Sequence, residues 1–163
     1  MTTTNLSLEE IYNLALKTLK FNGCDALNAE AVAHTVTNAE RDGSVSHGLF
    51  RIPGYIAALK SKKVKGDARP KNNYLTQNAI RVEGDYGFAP TAIGVGIPAL
   101  VEVTKKHGVG VLTITNTHHF AALWHETEAL AENELIGIAC TCLLYTSDAA
   151  DDTPCVDLGG RRI

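Results

Sequence analysis

Charge of one sign, long apolar runs and a cysteine framework are all missing from this sequence, and each absence excludes something. Fifteen Lys and Arg stand against eighteen Asp and Glu, a formal net charge of −3. That balance gives no electrostatic case for nucleic acid or an anionic membrane surface as partner. No apolar run reaches the length of a membrane span. The start, Met1-Thr2-Thr3-Thr4-Asn5, lacks the basic and apolar regions of a secretory leader. The four cysteines are Cys24, Cys140, Cys142 and Cys155. Their spacing fits no zinc pattern and implies no oxidising compartment, so they read as buried or free thiols. A cytoplasmic protein is the expectation. What is present is ordinary for a globular chain: 163 residues, 45% hydrophobic and 20% charged, enough for one domain with a sizeable core.

The first half reads as helical. Ser7-Leu8-Glu9-Glu10 is a capping box, followed by Leu8, Ile11, Leu14, Ala15 and Leu19 at helical spacing, with Gly23 as a stop. A second helix is expected over Leu27 to Arg41, with Ala31, Val32, Thr35, Val36 and Ala39 on one face. A third is expected over His47 to Lys60, with Ile52, Tyr55, Ile56 and Leu59 inward and Pro53 kinking it or marking a later start. The lysine-rich stretch from Ser61 to Asn73 reads as a solvated loop. After residue 75 the pattern changes. Ala79 to Glu83 alternates like a strand, Gly84 to Pro90 reads as a turn, and Ala92 to Lys106 as a helix. Gly110 to Thr115 reads as a buried strand, Phe120 to Glu132 as a helix and Leu135 to Cys140 as a strand. The expectation is an α/β (α+β) chain: a helical segment over 1–75, then an α/β layer over 76–141.

Two clusters carry chemistry. In the first, Ser46-His47-Gly48-Leu49-Phe50-Arg51, a helix beginning at His47 puts His47 and Arg51 on one face with Ser46 as its N-cap. Guanidinium, imidazole and free N–H groups together suit a carboxylate; a capped surface helix with a solvated arginine is the plainer alternative. The second, Asn116-Thr117-His118-His119-Phe120, follows a buried strand, at the edge where α/β proteins hold ligands. An imidazole there can exchange a proton near neutral pH, or simply cap a helix. A metal site on His118, His119 and His125 is a further alternative, although no neighbouring cysteine or carboxylate pattern completes one. Gly94 and Gly96 do not make a dinucleotide fingerprint, because Ala99 stands where the third glycine belongs. Trp124 and Phe120 read as core, and Tyr86 as turn packing.

Together, in this order, the stretches Ala39-Glu40-Arg41-Asp42-Gly43-Ser44-Val45-Ser46-His47-Gly48-Leu49-Phe50-Arg51 and Asn116-Thr117-His118-His119-Phe120 resemble the type 2 malate/L-lactate dehydrogenase family. Its members include ureidoglycolate, sulfolactate and diketogulonate enzymes and an imino-acid reductase. The resemblance covers about residues 5 to 141, under half of a full-length member. It implies a non-Rossmann α/β domain with a mixed sheet, NAD or NADP as cofactor, a 2-hydroxyacid or 2-oxoacid substrate and a homodimer. It implies His119 as the acid/base residue and Ser46, His47 and Arg51 as substrate-site residues. His118 stands where other members can carry glycine and is not expected to be catalytic. A metal-dependent hydrolase and a non-catalytic interaction module are the rival readings.

Residues 142–163 have neither periodicity nor turn grammar. Read back through the genetic code, 142–151 can be encoded by the transposon end and adapter of a tagmentation library. Residues 156–163 resemble the adapter's outer arm, and 152–155 fall where a barcode sits, all in one frame. The expectation is a translated sequencing adapter, a gene that continued beyond Thr141, and a 163-residue chain inactive alone. The cofactor-binding residues stay unassigned, because the family's cofactor contacts lie mostly further along.

Overall fold

The computed structural model describes residues 4–141. The stretch read as adapter, 142–163, lies outside the described residues. Helix α1 (Leu8–Phe21) opens on the expected capping box. The Ser7 hydroxyl accepts from Glu10 N at 3.2 Å, and the Glu10 carboxylate accepts from Ser7 N at 2.8 Å, a cap contributing about 1 kcal/mol. Helix α2 (Ala26–Arg41) starts one residue before the expected Leu27, because Asp25 caps it. Its buried stripe is Ala29, Val32, Ala33, Val36 and Ala39, slightly rotated from the expected face. These side chains pack with Ala15 and Leu19 of α1 into a helical core that also takes in Tyr55, Leu59 and Phe88.

The third helix departs from expectation. Two short 3-10 turns, Val45–His47 and Leu49–Arg51, precede α3 (Ile52–Lys60). Gly48 at φ −84°, ψ −142° breaks any helix running from His47. Pro53 lies in the first turn of α3, where its missing N–H costs nothing. Ser46 is therefore not an N-cap but the middle of a tight turn.

The sheet is mixed, in the order β1-β2-β3. Strand β1 (Lys71–Tyr74), inside the stretch expected to be loop, runs antiparallel to β2 (Ala79–Phe88), and β3 (Val111–His118) runs parallel to β2. Strand β2 does not turn at Gly84. It bulges through Asp85 (φ 51°) and Tyr86 (φ 56°) and regains register at Gly87. The bulge is held from outside: Lys65 N donates to Tyr86 O at 3.0 Å, and Arg69 N donates to the Asp85 carboxylate at 3.1 Å. Helix α4 (Ala89–His107) follows directly and crosses the sheet closely at Gly96, where a Cβ would stand 2.9 Å from both Leu112 and Val82. Ile80 joins Ala99, Leu100, Val103 and Leu130 in a second, smaller core.

The two layers are locked by one buried polar group that periodicity does not reveal. Asn28 is fully buried. It donates to Asp25 at 2.9 Å and to Ala68 O at 3.1 Å, and accepts from the Thr91 hydroxyl at 3.0 Å.

Helix α5 (Trp124–Ala131) starts four residues after the expected Phe120. His119 (φ 51°) and Ala121 (φ 62°) are left-handed and cannot belong to a right-handed helix. The strand expected over Leu135–Cys140 is not formed. Leu135 N instead donates to Leu130 O at 3.0 Å, and Gly137 lies against the Leu130 side chain. The segment is held along α5 and makes no ladder with β3.

Candidate active site

His119 stands just past the end of β3, on the bend that separates strand from helix. Its left-handed backbone conformation is tolerated by histidine better than by most side chains, and aims the ring back toward α3. Ala121 N donates to His119 Nδ1 at 3.2 Å, and the Tyr55 hydroxyl lies 3.2 Å from the same nitrogen. With Nδ1 used as an acceptor, the neutral ring carries its hydrogen on Nε2. Burial, then the charge of Arg51 and the neighbouring His118 and His47, hold the ring down to a pKa of about 4. Tyr55 is buried and pushed up to about 12, so it is a neutral hydroxyl at any physiological pH.

The stretch from Glu40 to Arg51 forms the facing wall. The Glu40 carboxylate accepts from Leu49 N at 2.7 Å and fills the space a side chain on Gly48 would take. This pin sets the two 3-10 turns. The hydroxyls of Ser44 and Ser46 lie 3.1 and 3.0 Å from His47 Nδ1. Arg51 Nε donates to Ser46 O at 2.7 Å. Its terminal nitrogens have no protein partner among the described residues. Burial and Arg51 lower the His47 pKa.

The fold thus brings His119, His47 and Arg51 together, as expected, but with altered local roles. His47 and Arg51 share a pair of tight turns, not a helix face, and Ser46 holds His47 and Arg51 in place of capping. Tyr55, read only as an inward residue, is the direct partner of His119; its position four residues after Arg51 was the available signal. Trp124 is not core. Its ring stands edge-on to His47 at 6.0 Å, and its Nε1 donates to the Asp42 carboxylate at 2.9 Å. Arg41 adds a bond to Glu128 at 3.0 Å, so α5 is tied to the end of α2.

His118 packs edge-on to Phe88 at 6.1 Å, and burial lowers its pKa. His125 lies tilted against Trp124 at 5.2 Å. The three histidines of the metal alternative do not converge: among the described residues no group of three His, Cys, Asp or Glu side chains is placed to hold a metal ion.

Next to His119 opens a cavity of about 510 Å³, walled by Ile93 and Ile97 of α4 and Leu112 and Ile114 of β3, with Glu126 at its rim. Its size is that of a small-molecule pocket. The apolar wall suits a flat nicotinamide ring. The described residues offer no phosphate cradle, since Gly96 packs against Leu112 and Val82.

The depressed histidines have a consequence for stability. A histidine with a lowered folded pKa binds fewer protons than in the unfolded chain, so its contribution is complete above about pH 6.5 and is lost as pH falls. For His119 the window runs from about 6.5 down to about 4. His47, His118 and His125 act in the same direction, while burial of Glu126 raises its pKa and opposes them. Four groups against one predict a urea midpoint that falls steadily between pH 6.5 and 4. His119→Gln should flatten part of that slope; an unchanged slope would contradict a ring held neutral by its half-buried setting.

Comparison with known proteins places these features in a family. Residues 6–145 match the family described as malate/L-lactate dehydrogenase. Delta(1)-pyrroline-2-carboxylate reductase 1 of Burkholderia ambifaria is 40% identical over 134 residues, which is 82% of this chain and 39% of that protein. The Delta(1)-pyrroline-2-carboxylate reductase of Agrobacterium fabrum is 37% identical over 148 residues, 90% of this chain and 43% of that protein. Among solved structures, delta1-piperideine-2-carboxylate reductase from Pseudomonas syringae aligns with a TM-score of 0.76 at 36% identity, over 80% of this chain and 39% of that one. Sulfolactate dehydrogenase from Methanocaldococcus jannaschii aligns at 0.74 and 26% identity, over 79% and 38%. The chain therefore spans about two fifths of the length of these relatives.

Proposed function

The chain belongs to the malate/L-lactate dehydrogenase family, and from that premise we propose that it is part of a nicotinamide-dependent oxidoreductase acting on a small 2-oxo- or 2-imino-carboxylate. The observation that carries the reading is the pairing of a half-buried His119, whose Nδ1 accepts so that Nε2 bears the hydrogen, with an Arg51 whose terminal nitrogens have no partner among the described residues. Arg51 holds the substrate carboxylate bidentately, with His47 beside it, and so fixes the reacting carbon near His119. Bound nicotinamide, NAD or NADP, supplies or takes the hydride at that carbon. His119 serves the oxygen or nitrogen that gains charge in the reduction. Burial above all, then the charge of Arg51, hold His119 to about 4 in the free site, which favours the neutral ring over the expected standing imidazolium. A carboxylate seated on Arg51 offsets the positive field that depresses the ring, so protonation of His119 is coupled to substrate binding.

The parent enzyme is read as a cytoplasmic homodimer, and the 163-residue chain as inactive alone, since β3 presents a bare edge among the described residues and the phosphate site is absent from them. The test is to sequence the source DNA across the Thr141 codon, express the continued frame, and assay 2-oxoacids and cyclic imino acids with NADH and NADPH. Turnover is expected with at least one pair, and His119→Gln should lower kcat by about 10²- to 10⁴-fold. Turnover that survives His119→Gln would remove the assigned role.

A further inference from the structure

Glu126 lines the same cavity as His119, and nothing in the sequence reading drew attention to it. It sits in the first turn of α5. Its Oε2 is buried and has no hydrogen-bond partner among the described residues. The carboxyl keeps one hydrogen bond, from its own backbone N–H, but its buried Oε2 has no donor, which is unfavourable for a carboxylate and favours a proton or a cation at that oxygen. Burial among apolar side chains raises its pKa. The other titratable groups on the cavity are His119 and Cys140, and neither is bonded to Glu126.

The two groups differ in what they offer. His119 presents an N–H, which suits a ketone oxygen with its two lone pairs; an imine nitrogen has a single lone pair, and the group that protonates it takes the place of that N–H. A carboxyl that changes between acid and carboxylate discriminates between them. An imine nitrogen is basic enough to take the proton and become a cationic N–H; a ketone oxygen is not. We propose that Glu126 is a specificity-determining residue that protonates, and then pairs with, the nitrogen of a cyclic 2-imino acid, favouring C=N over C=O substrates. The proton leaves the carboxyl oxygen and bonds to the nitrogen lone pair, giving a carboxylate facing an iminium; no electrons are transferred in that step, and water restores the proton afterwards. The inference rests on the reading above that the substrate carboxylate lies at Arg51.

Calorimetric titration of the 163-residue chain with Δ1-pyrroline-2-carboxylate and with pyruvate tests it. The wild-type chain should bind the imine at least about tenfold more tightly. Glu126→Gln, nearly isosteric, should abolish that preference while leaving pyruvate affinity unchanged, and Glu126→Asp should keep part of it. Equal losses for both ligands, or a preference that survives Glu126→Gln, would overturn the assignment. If neither ligand binds the wild-type chain, the carboxylate-site reading falls and takes this one with it; pyruvate binding without an imine preference removes Glu126 alone. A carbonyl-carbon NMR titration of Glu126 in the wild-type chain gives an independent readout. Its midpoint should lie above the ordinary 4.5 and fall when the imine is bound; an ordinary midpoint that the imine leaves in place would also overturn the proposal.

Discussion

Arg51→Ala is expected to lower pyruvate affinity by about 100-fold and to let His119 titrate higher, though burial, the larger cause of its depression to about 4, remains. Both effects have one origin. Arg51 is anchored through Nε to Ser46 O at 2.7 Å, which fixes the guanidinium plane and leaves its terminal nitrogens for a ligand. Removing it deletes the bidentate carboxylate contact, and a lost charge-assisted pair of this kind costs about 2–5 kcal/mol. It also removes the charge that ranks next to burial in depressing His119. Calorimetry gives the affinity, and imidazole NMR gives the midpoint. Arg51→Lys retains the charge without the planar fork, so it should keep His119 low while losing most of the affinity. Loss of affinity with no movement of His119 would mean that the two groups do not share a field.

The second large effect is expected at Gly48. A side chain there collides with the Glu40 carboxylate, which is itself held by Leu49 N at 2.7 Å. Gly48→Ala must expel Glu40 from its pin, leaving Leu49 N unpaired and the two 3-10 turns without their tie. Overpacking plus a lost hydrogen bond to a charged group suggests about 2–3 kcal/mol of destabilisation, read as a lower urea midpoint. His47 and Arg51 lie on either side of Gly48, so pyruvate binding should weaken beyond what the lost stability explains. Glu40→Ala in the Gly48→Ala background removes the collision and should recover part of the stability. No recovery would place the strain elsewhere.

Much of the helical half was legible because local chemistry decides it. Ser7 with Glu10 marks the start of α1, and apolar periodicity marks both α1 and α2. The strands read at Ala79–Glu83 and Gly110–Thr115 are both present, extended to Phe88 and His118, although the second is more exposed than the buried strand expected; the mixed sheet was implied by the family resemblance, not by the pattern. The losses occurred where a distant partner decides the conformation. Lys71-Asn72-Asn73-Tyr74 has no alternation to announce a strand and becomes one by pairing with Ile80–Glu83. Gly84 to Phe88 contains turn residues, but Lys65 and Arg69 hold it as a bulge. Leu135–Cys140 has a strand's composition, yet follows Leu130.

The site divides the same way. His47, Arg51 and His119 were singled out by residue type and order, and their roles came from the family resemblance and remain proposals. Tyr55, sixty-four positions from His119, and Glu126, an ordinary helix glutamate in sequence, acquire meaning from the ring and the cavity they face. Ser46 was placed at the site by the family resemblance and by a helix cap; the cap does not exist, and its contacts are to His47 and Arg51.

The central claim is that His119 is a half-buried neutral imidazole whose protonation is coupled to a carboxylate on Arg51. Nitrogen-15 NMR of the imidazoles of the 163-residue chain, with and without saturating pyruvate, tests it most directly. The account predicts an Nε2–H tautomer at pH 7, a midpoint of about 4 in the free chain, and an upward movement of at least about one unit with pyruvate bound. A His119 that titrates near 6.5 in the free chain and ignores pyruvate would contradict it.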